Sequence, residues 1–214
     1  AVEAALDEVG WPLTQIWITH HHGDHTAGLA ALAYDGVEVF GPRGIAGIDK
    51  ALDGGNSFAF AGREVKVIST PGHTLAMLNY YLPADKLVFT GDTLFAMGCG
   101  RLFEGDAPMM WDSLCKLMAL ADDTVVYCGH EYTAANARFA LSVDPANTAL
   151  QRRAEVVDKL RSIGQPTVPT MIALEKATNP FLRAGDAGLR AHLDMDGASD
   201  AEVFAEVRRR KDNF

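Results

Sequence analysis

Residues 13–25, LTQIWITHHHGDH, join a β-branched and aromatic run of strand length to a polar segment with four histidines in six residues. A lone histidine is usually a satisfied structural residue. Four at the end of one strand mark a site. Extended backbone sends alternate side chains to one side, so His20 and His22 converge on one ion while His21 points away. Past a glycine turn at Gly23, Asp24 and His25 then face a second ion. Imidazole and carboxylate together suit Zn, Fe or Mn, and two ions need more ligands than one loop offers. The chain must therefore bring other strand ends to the same point. His73 follows REVKVIST in PGHT, where Pro71 and Gly72 force a turn. Asp92 follows KLVFT in GDT, and His130 follows TVVYC in GHEYT. Each is a candidate ligand on a loop at a strand's end, where a sheet fold gathers distant residues.

Around these loops, residues 37–40, 63–70, 77–82, 86–92 and 124–130 read as strands. Helical spacing marks residues 2–9, closed by Gly10, and about 108–120, 131–142 and 147–163, the first opening on Pro108. LDGGNSF (52–58) reads as a loop. After GQPTVP (164–169) strands vanish, and the tail opens with Ser199 and Glu202 at capping-box spacing. Residues 1–145 thus read as a sheet-rich domain and 146–214 as a helical one.

A chain of 214 residues, 48% of them hydrophobic, builds its core without disulfide staples. Its three cysteines, Cys99, Cys115 and Cys128, form no CxxC pair, which points to a reducing compartment. Nineteen Lys and Arg against 28 Asp and Glu leave a net charge of -9, which repels a phosphate backbone and argues against nucleic acid as a partner. No run reaches the roughly 18 to 20 apolar residues of a membrane span, and the opening lacks the pattern of a signal peptide. A cytoplasmic monomer without membrane contact is expected. The chain opens on Ala inside a helical pattern, so its natural start is expected upstream.

Taken in order, THHHGDH, PGHT, GDT and GHEYT resemble the metallo-β-lactamase superfamily. The words LFAMGCGRLFEGD, GHEYTAANARFA, NPFLR and RRRKDNF resemble glyoxalase II, the hydroxyacylglutathione hydrolases, over nearly the whole chain. This resemblance implies an α/β fold, a four-layered αββα sandwich followed by a helical C-terminal domain. Members of the family begin with several strands ahead of the helix that opens this chain, so an N-terminally incomplete sandwich is expected. The resemblance also implies that His20, His22 and His73 hold a first metal, and Asp24, His25 and His130 a second, with Asp92 bridging. Two divalent ions, Zn2+ foremost, are the implied cofactors, with Fe or Mn as alternatives.

For glutathione, the family pattern falls on Arg101, Phe103, Tyr132, Arg208 and Lys211, with Phe103 standing where some members carry Tyr. The physical reading agrees with it. Glutathione conjugates carry two carboxylates, RRRK is the densest cationic run in the chain, and Arg208 and Lys211 share a helix face. A helix end that balances the macrodipole is the plainer account of the same run. The implied reaction is hydrolysis of S-2-hydroxyacylglutathione thioesters, with S-D-lactoylglutathione, an intermediate of methylglyoxal detoxification, as the expected substrate. Asp24 is placed to orient the attacking hydroxide as well as to bind the second ion. Three rivals stand beside it: a mononuclear iron dioxygenase acting on glutathione persulfide, a β-lactamase, and a non-catalytic metal-binding protein. One departure from the family is local: Ala76 and Met77 stand where Gly and His are usual, which removes an expected support for the ligands.

Overall fold

The computed structural model describes residues 2–214. Along the chain run α1 (Val2–Val9), β1 (Gln15–Trp17), α2 (Gly23–Thr26), α3 (Leu29–Leu32), β2 (Glu38–Pro42), β3 (Lys50–Leu52), β4 (Ser57–Phe60), β5 (Arg63–Ser69), β6 (Leu78–Leu82) and β7 (Leu87–Gly91). There follow β8 (Leu94–Phe95), β9 (Gly98–Cys99), α4 (Ala107–Met118), β10 (Val125–Cys128), α5 (Thr133–Val143), α6 (Thr148–Ser162), β11 (Thr170–Met171), α7 (Ile172–Thr178), α8 (Ala187–Leu193) and α9 (Asp200–Asp212). Strands β1-β2-β3 form a parallel sheet, and β11-β10-β7-β6-β5-β4 form a larger mixed one. The hairpin β8-β9 stands apart from both.

Strand alternation explains the layering. Leu87 and Phe89 of β7 and Leu78, Tyr80 and Leu82 of β6 join Phe40 and Leu52 of the smaller sheet in one apolar cluster. Their neighbours Val88 and Tyr81 point the other way, towards α4, α7 and α9. Trp17 locks the sheets together, packing edge-on against Phe58, Phe60 and Phe89 at 5.2 to 6.0 Å between ring centres. On the outer face of the smaller sheet, Leu29 of α3 packs with Ile18 and Val39. Four layers result, helix on sheet on sheet on helix, as the family resemblance implied. Helix starts also follow the sequence. Asp106 caps α4 by accepting from Met109 N, and Ser199 with Glu202 closes a complete capping box on α9.

Three local expectations need correction. LDGGNSF is a loop only in its middle: Leu52 ends β3, and Ser57 and Phe58 already pair with Lys66 and Val65. Its glycines lie in the turn, with Gly55 at φ +89, that carries the chain from β3 in the smaller sheet to β4 in the larger one. Strands do not vanish after residue 169, because Thr170 and Met171 pair antiparallel with Val126 and Val125. Two residues are too few to leave a period-2 signal. Gly23 is not a free turn but the first residue of the one-turn helix α2. A further finding concerns the core. Val203, Phe204 and Val207 of α9 share one cluster with Val88, Leu94 and Val126, so the core runs unbroken across residue 145. Among the described residues, no helix is long and apolar enough to cross a membrane.

Candidate metal centre

Strand direction gathers the ligands. β7 and β10 run parallel, and β5 is antiparallel to β6 as β6 is to β7, so β5, β7 and β10 all end at one edge of the larger sheet. His73, Asp92 and His130 lie on the loops that leave those ends. His20 and His22 follow β1, and Asp24 and His25 sit on α2. His21 points away and meets Glu104 at 3.2 Å. That glutamate also accepts from Leu75 N at 2.7 Å, which ties three loops together.

All seven candidate donors converge. His20 Nε2 and His73 Nε2 lie 3.1 and 3.0 Å from His22 Nδ1. His25 Nε2 and His130 Nε2 lie 3.2 Å apart, with Asp24 Oδ2 at 3.5 and 3.4 Å from them. Asp92 stands between the two groups: Oδ1 is 3.2 Å from His25 Nε2, and Oδ2 is 3.3 Å from His130 Nε2 and 3.6 Å from His73 Nε2.

Protons alone do not satisfy this crowd. His73 Nδ1 donates to the Arg101 carbonyl at 2.8 Å, so its Nε2 carries a bare lone pair into the cluster. Asp92 Oδ1 is buried and makes no well-formed hydrogen bond, only the 3.2 Å contact with His25 Nε2. Burial foremost, then the nearby His25, drives the pKa of His20 down from 6.5 to about 3, which keeps its ring neutral. Burial likewise lowers His73. The contact with Asp92 holds His25 above its usual value. Burial works to raise Asp92, but the histidines around it win and hold its carboxylate low. Neutral imidazoles at His20 and His73 beside the ionised Asp92 carboxylate are donors of the kind a divalent cation takes.

Two glycines make the cage possible, and sequence reasoning passed over both. A Cβ on Gly129 would stand 2.5 Å from Asp92 Oδ1 and 3.0 Å from His25 Cε1. One on Gly100 would stand 2.0 Å from the Asp92 carbonyl oxygen. The words GCG and CGH carried that signal, since glycine beside a ligand allows close backbone approach. Met77 is fully buried beside Gly91, its Sδ 4.0 Å from Thr74 Oγ1, and a thioether brings no nitrogen or oxygen to support the ligands.

Five of the donors, His22, Asp24, His73, Asp92 and His130, floor a cavity of about 460 Å³ whose walls include Arg101, Phe103, Tyr132, Arg208 and Lys211. Phe95, Cys99 and Asn136 line it too, and the sequence had not flagged them. The Phe103 ring meets His22 and His73 edge-on at 5.6 and 5.3 Å. Tyr132 stacks on His130 at 4.7 Å. Arg208 is only 4% exposed: Nη1 donates to Cys99 O at 3.0 Å, and the guanidinium lies 5.0 Å above the Phe181 ring. Lys211 Nζ sits 5.2 Å over Phe139, and burial, then the positive field of Arg208, Arg138 and Arg101, lowers its pKa. The solvated helix end is instead Arg209 and Arg210, both paired with Glu206.

Paired sheets between helices, with a histidine and aspartate cluster at the strand ends, define a metal-binding protein of the metallo-β-lactamase superfamily, whose profile matches residues 34–130. Residues 131–214 match the hydroxyacylglutathione hydrolase C-terminus. A hydroxyacylglutathione hydrolase from Rhizobium meliloti (strain 1021) is 58% identical over 215 residues, spanning 98% of this chain and 84% of that protein. The chain belongs to the hydroxyacylglutathione hydrolase family, glyoxalase II. Among solved structures it is similar to ETHE1 from Myxococcus xanthus, with 27% identity, a TM-score of 0.67 and coverage of 97% of this chain and 73% of that one. It is also similar to TTHA1623, solved in a di-iron-bound form, with 25% identity, a TM-score of 0.58 and coverage of 85% and 83%.

Proposed function

We propose that this chain hydrolyses the thioester of S-2-hydroxyacylglutathiones, S-D-lactoylglutathione foremost, to glutathione and the hydroxy acid. His20, His22 and His73 would hold one divalent ion and Asp24, His25 and His130 a second, with Asp92 shared and zinc the first choice. The observation that carries this reading is that seven donors converge and that five of them, His22, Asp24, His73, Asp92 and His130, share one cavity with a cationic wall. When bound, a pair of such ions supplies hydroxide near neutral pH and a Lewis acid for the carbonyl.

The chain's own residues do the rest. Asp24 lines the cavity with its side chain 60% exposed, so its carboxylate is free to accept a proton contact from the nucleophile and orient it. Arg101 and Lys211 offer cations to the glutathione carboxylates, and buried Arg208 adds its field behind them. Tyr132 and Phe103 flank the reacting centre, their rings set against His130 and against His22 and His73. In this reading residues 1–145 form the catalytic unit, and residues 146–214 the helical glutathione-binding unit.

The test is metal analysis combined with turnover of S-D-lactoylglutathione. Two equivalents of metal per chain are expected, with activity lost to a chelator and restored by zinc. Metal-loaded protein that leaves this thioester intact would overturn the reading, and oxygen uptake with glutathione persulfide would replace it with the dioxygenase.

A further inference from the structure

The cationic wall of the cavity already holds a carboxylate. Asp212 Oδ1 accepts from Arg208 Nη2 at 2.7 Å, and the same oxygen lies 3.8 Å from Arg101 Nε. One oxygen thus spans two guanidiniums that line the cavity. Arg208 and Asp212 form an i,i+4 pair on α9, but that pairing does not account for the reach of the same oxygen to Arg101, and an acid in the last turn opposes the macrodipole. Nor does Arg208 depend on Asp212 for its place: burial, the Cys99 carbonyl and the Phe181 ring hold it independently. Arg101 is different, with a side chain 65% exposed and free to change partner.

We infer that Asp212, which engages two of the wall's guanidiniums without itself lining the cavity, is an internal competitor for them and weakens the hold on substrate and on released glutathione alike. This rests on the thioesterase reading above and deepens it. Arg101 faces Asp212 at 3.8 Å and would turn to the carboxylate of an incoming substrate. The carboxylate of Asp212 stays behind, tied to Arg208, and repels the bound anion. Two like charges about 6 Å apart in a wet site oppose one another enough to change affinity by roughly three- to tenfold. Asp212 is therefore a specificity-determining residue: it keeps the glutathione product from lingering in a site built of three cations.

The experiment compares wild type with Asp212→Asn and Asp212→Ser, two charge removals that differ in their hydrogen bonding. Glutathione binding is read by calorimetry, and KM is read for S-D-lactoylglutathione and for a small thioester without carboxylates. Both variants are expected to bind glutathione about three- to tenfold more tightly, to lower KM for the glutathionyl substrate in step, and to leave KM for the small thioester in place. Unchanged or weaker glutathione binding in either folded variant overturns the proposal, as does an equal shift in KM for both substrates, which would make Asp212 a clamp for Arg208. A wild type that cleaves neither thioester fails the hydrolase reading instead, while calorimetry still decides on Asp212.

Discussion

Replacing Glu175 by Ala is expected to cost more stability than any surface change in this chain. Glu175 is fully buried on α7, and both its oxygens are in use. Oε1 accepts from Arg153 and, at 2.6 Å, from Thr170 Oγ1. Oε2 accepts from Met97 N at 2.8 Å and from Asn179 Nδ2 at 3.0 Å. The truncation leaves the Arg153 guanidinium, whose side chain is 7% exposed, without its counter-charge. Breaking such a pair from one side costs about 3 to 5 kcal/mol. Each kcal/mol moves the melting temperature of a chain this size by about 2 to 4 °C, so a fall of roughly 6 to 20 °C follows. Met97 N belongs to the turn of the β8-β9 hairpin, and that hairpin brings Phe95 and Cys99 to the cavity wall. KM for the glutathionyl substrate should therefore rise with the loss of stability. Calorimetric melting beside steady-state kinetics measures both. Replacing the pair together, Arg153→Met with Glu175→Leu, should recover much of the melting temperature, since no charge is then stranded. A single mutant that melts within about 2 °C of wild type would refute the reasoning, because a shift that small is the signature of a solvated pair.

Other expectations concern the site. Gly129→Ala places a methyl 2.5 Å from Asp92 Oδ1, so metal content measured by emission spectroscopy should fall while circular dichroism stays native; full metal loading would contradict the cage geometry. Asp92→Ala should empty both proposed sites together, and retention of two metals per chain would count against its shared role. Lys211→Ala should raise KM for S-D-lactoylglutathione roughly tenfold, less at high salt, with no effect on a thioester lacking carboxylates. An equal effect on both substrates would mean that the tail only supports the fold. Acid should weaken the metal-free protein: unfolded His20 takes a proton below 6.5 that the folded state refuses until about 3, so the melting temperature should fall across that range. Asp92, held low, adds to the loss as pH drops through its folded value, whereas His25, held high, contributes stability at low pH that disappears as pH rises through its raised value. His20→Asn should flatten the profile, and an unchanged slope would show that another group governs it.

The ligand loops were legible because strand runs and ligand residues adjoin in sequence, and alternation alone separates His21 from His20 and His22. The long helices were legible from spacing and caps. What escaped detection depended on partners far along the chain. β3 and β11 are strands only because a neighbour pairs with them, and three residues or fewer carry no period of their own. Glu175 and Arg153 look in sequence like two charges on solvated helices. Their burial follows from α6, α7 and the β8-β9 turn meeting, which no local pattern encodes. The tail was half legible. The family resemblance and helical spacing picked Arg208 and Lys211 out of RRRK, but only packing shows Arg208 buried and Arg209 and Arg210 paired with Glu206.

The unbroken core has a consequence for how such a chain can change its substrate over evolutionary time. Val203, Phe204 and Val207 fill the same packed volume as Val88 and Val126, while Arg208 and Lys211 one turn on face the cavity. A helical half from a relative with another preference could not be grafted on like a cassette, because its buried side chains would meet a sheet shaped for different ones. New specificity must arise instead at exposed positions around the rim, Arg101 and Phe103 above all, where a side chain can be exchanged without disturbing the interior.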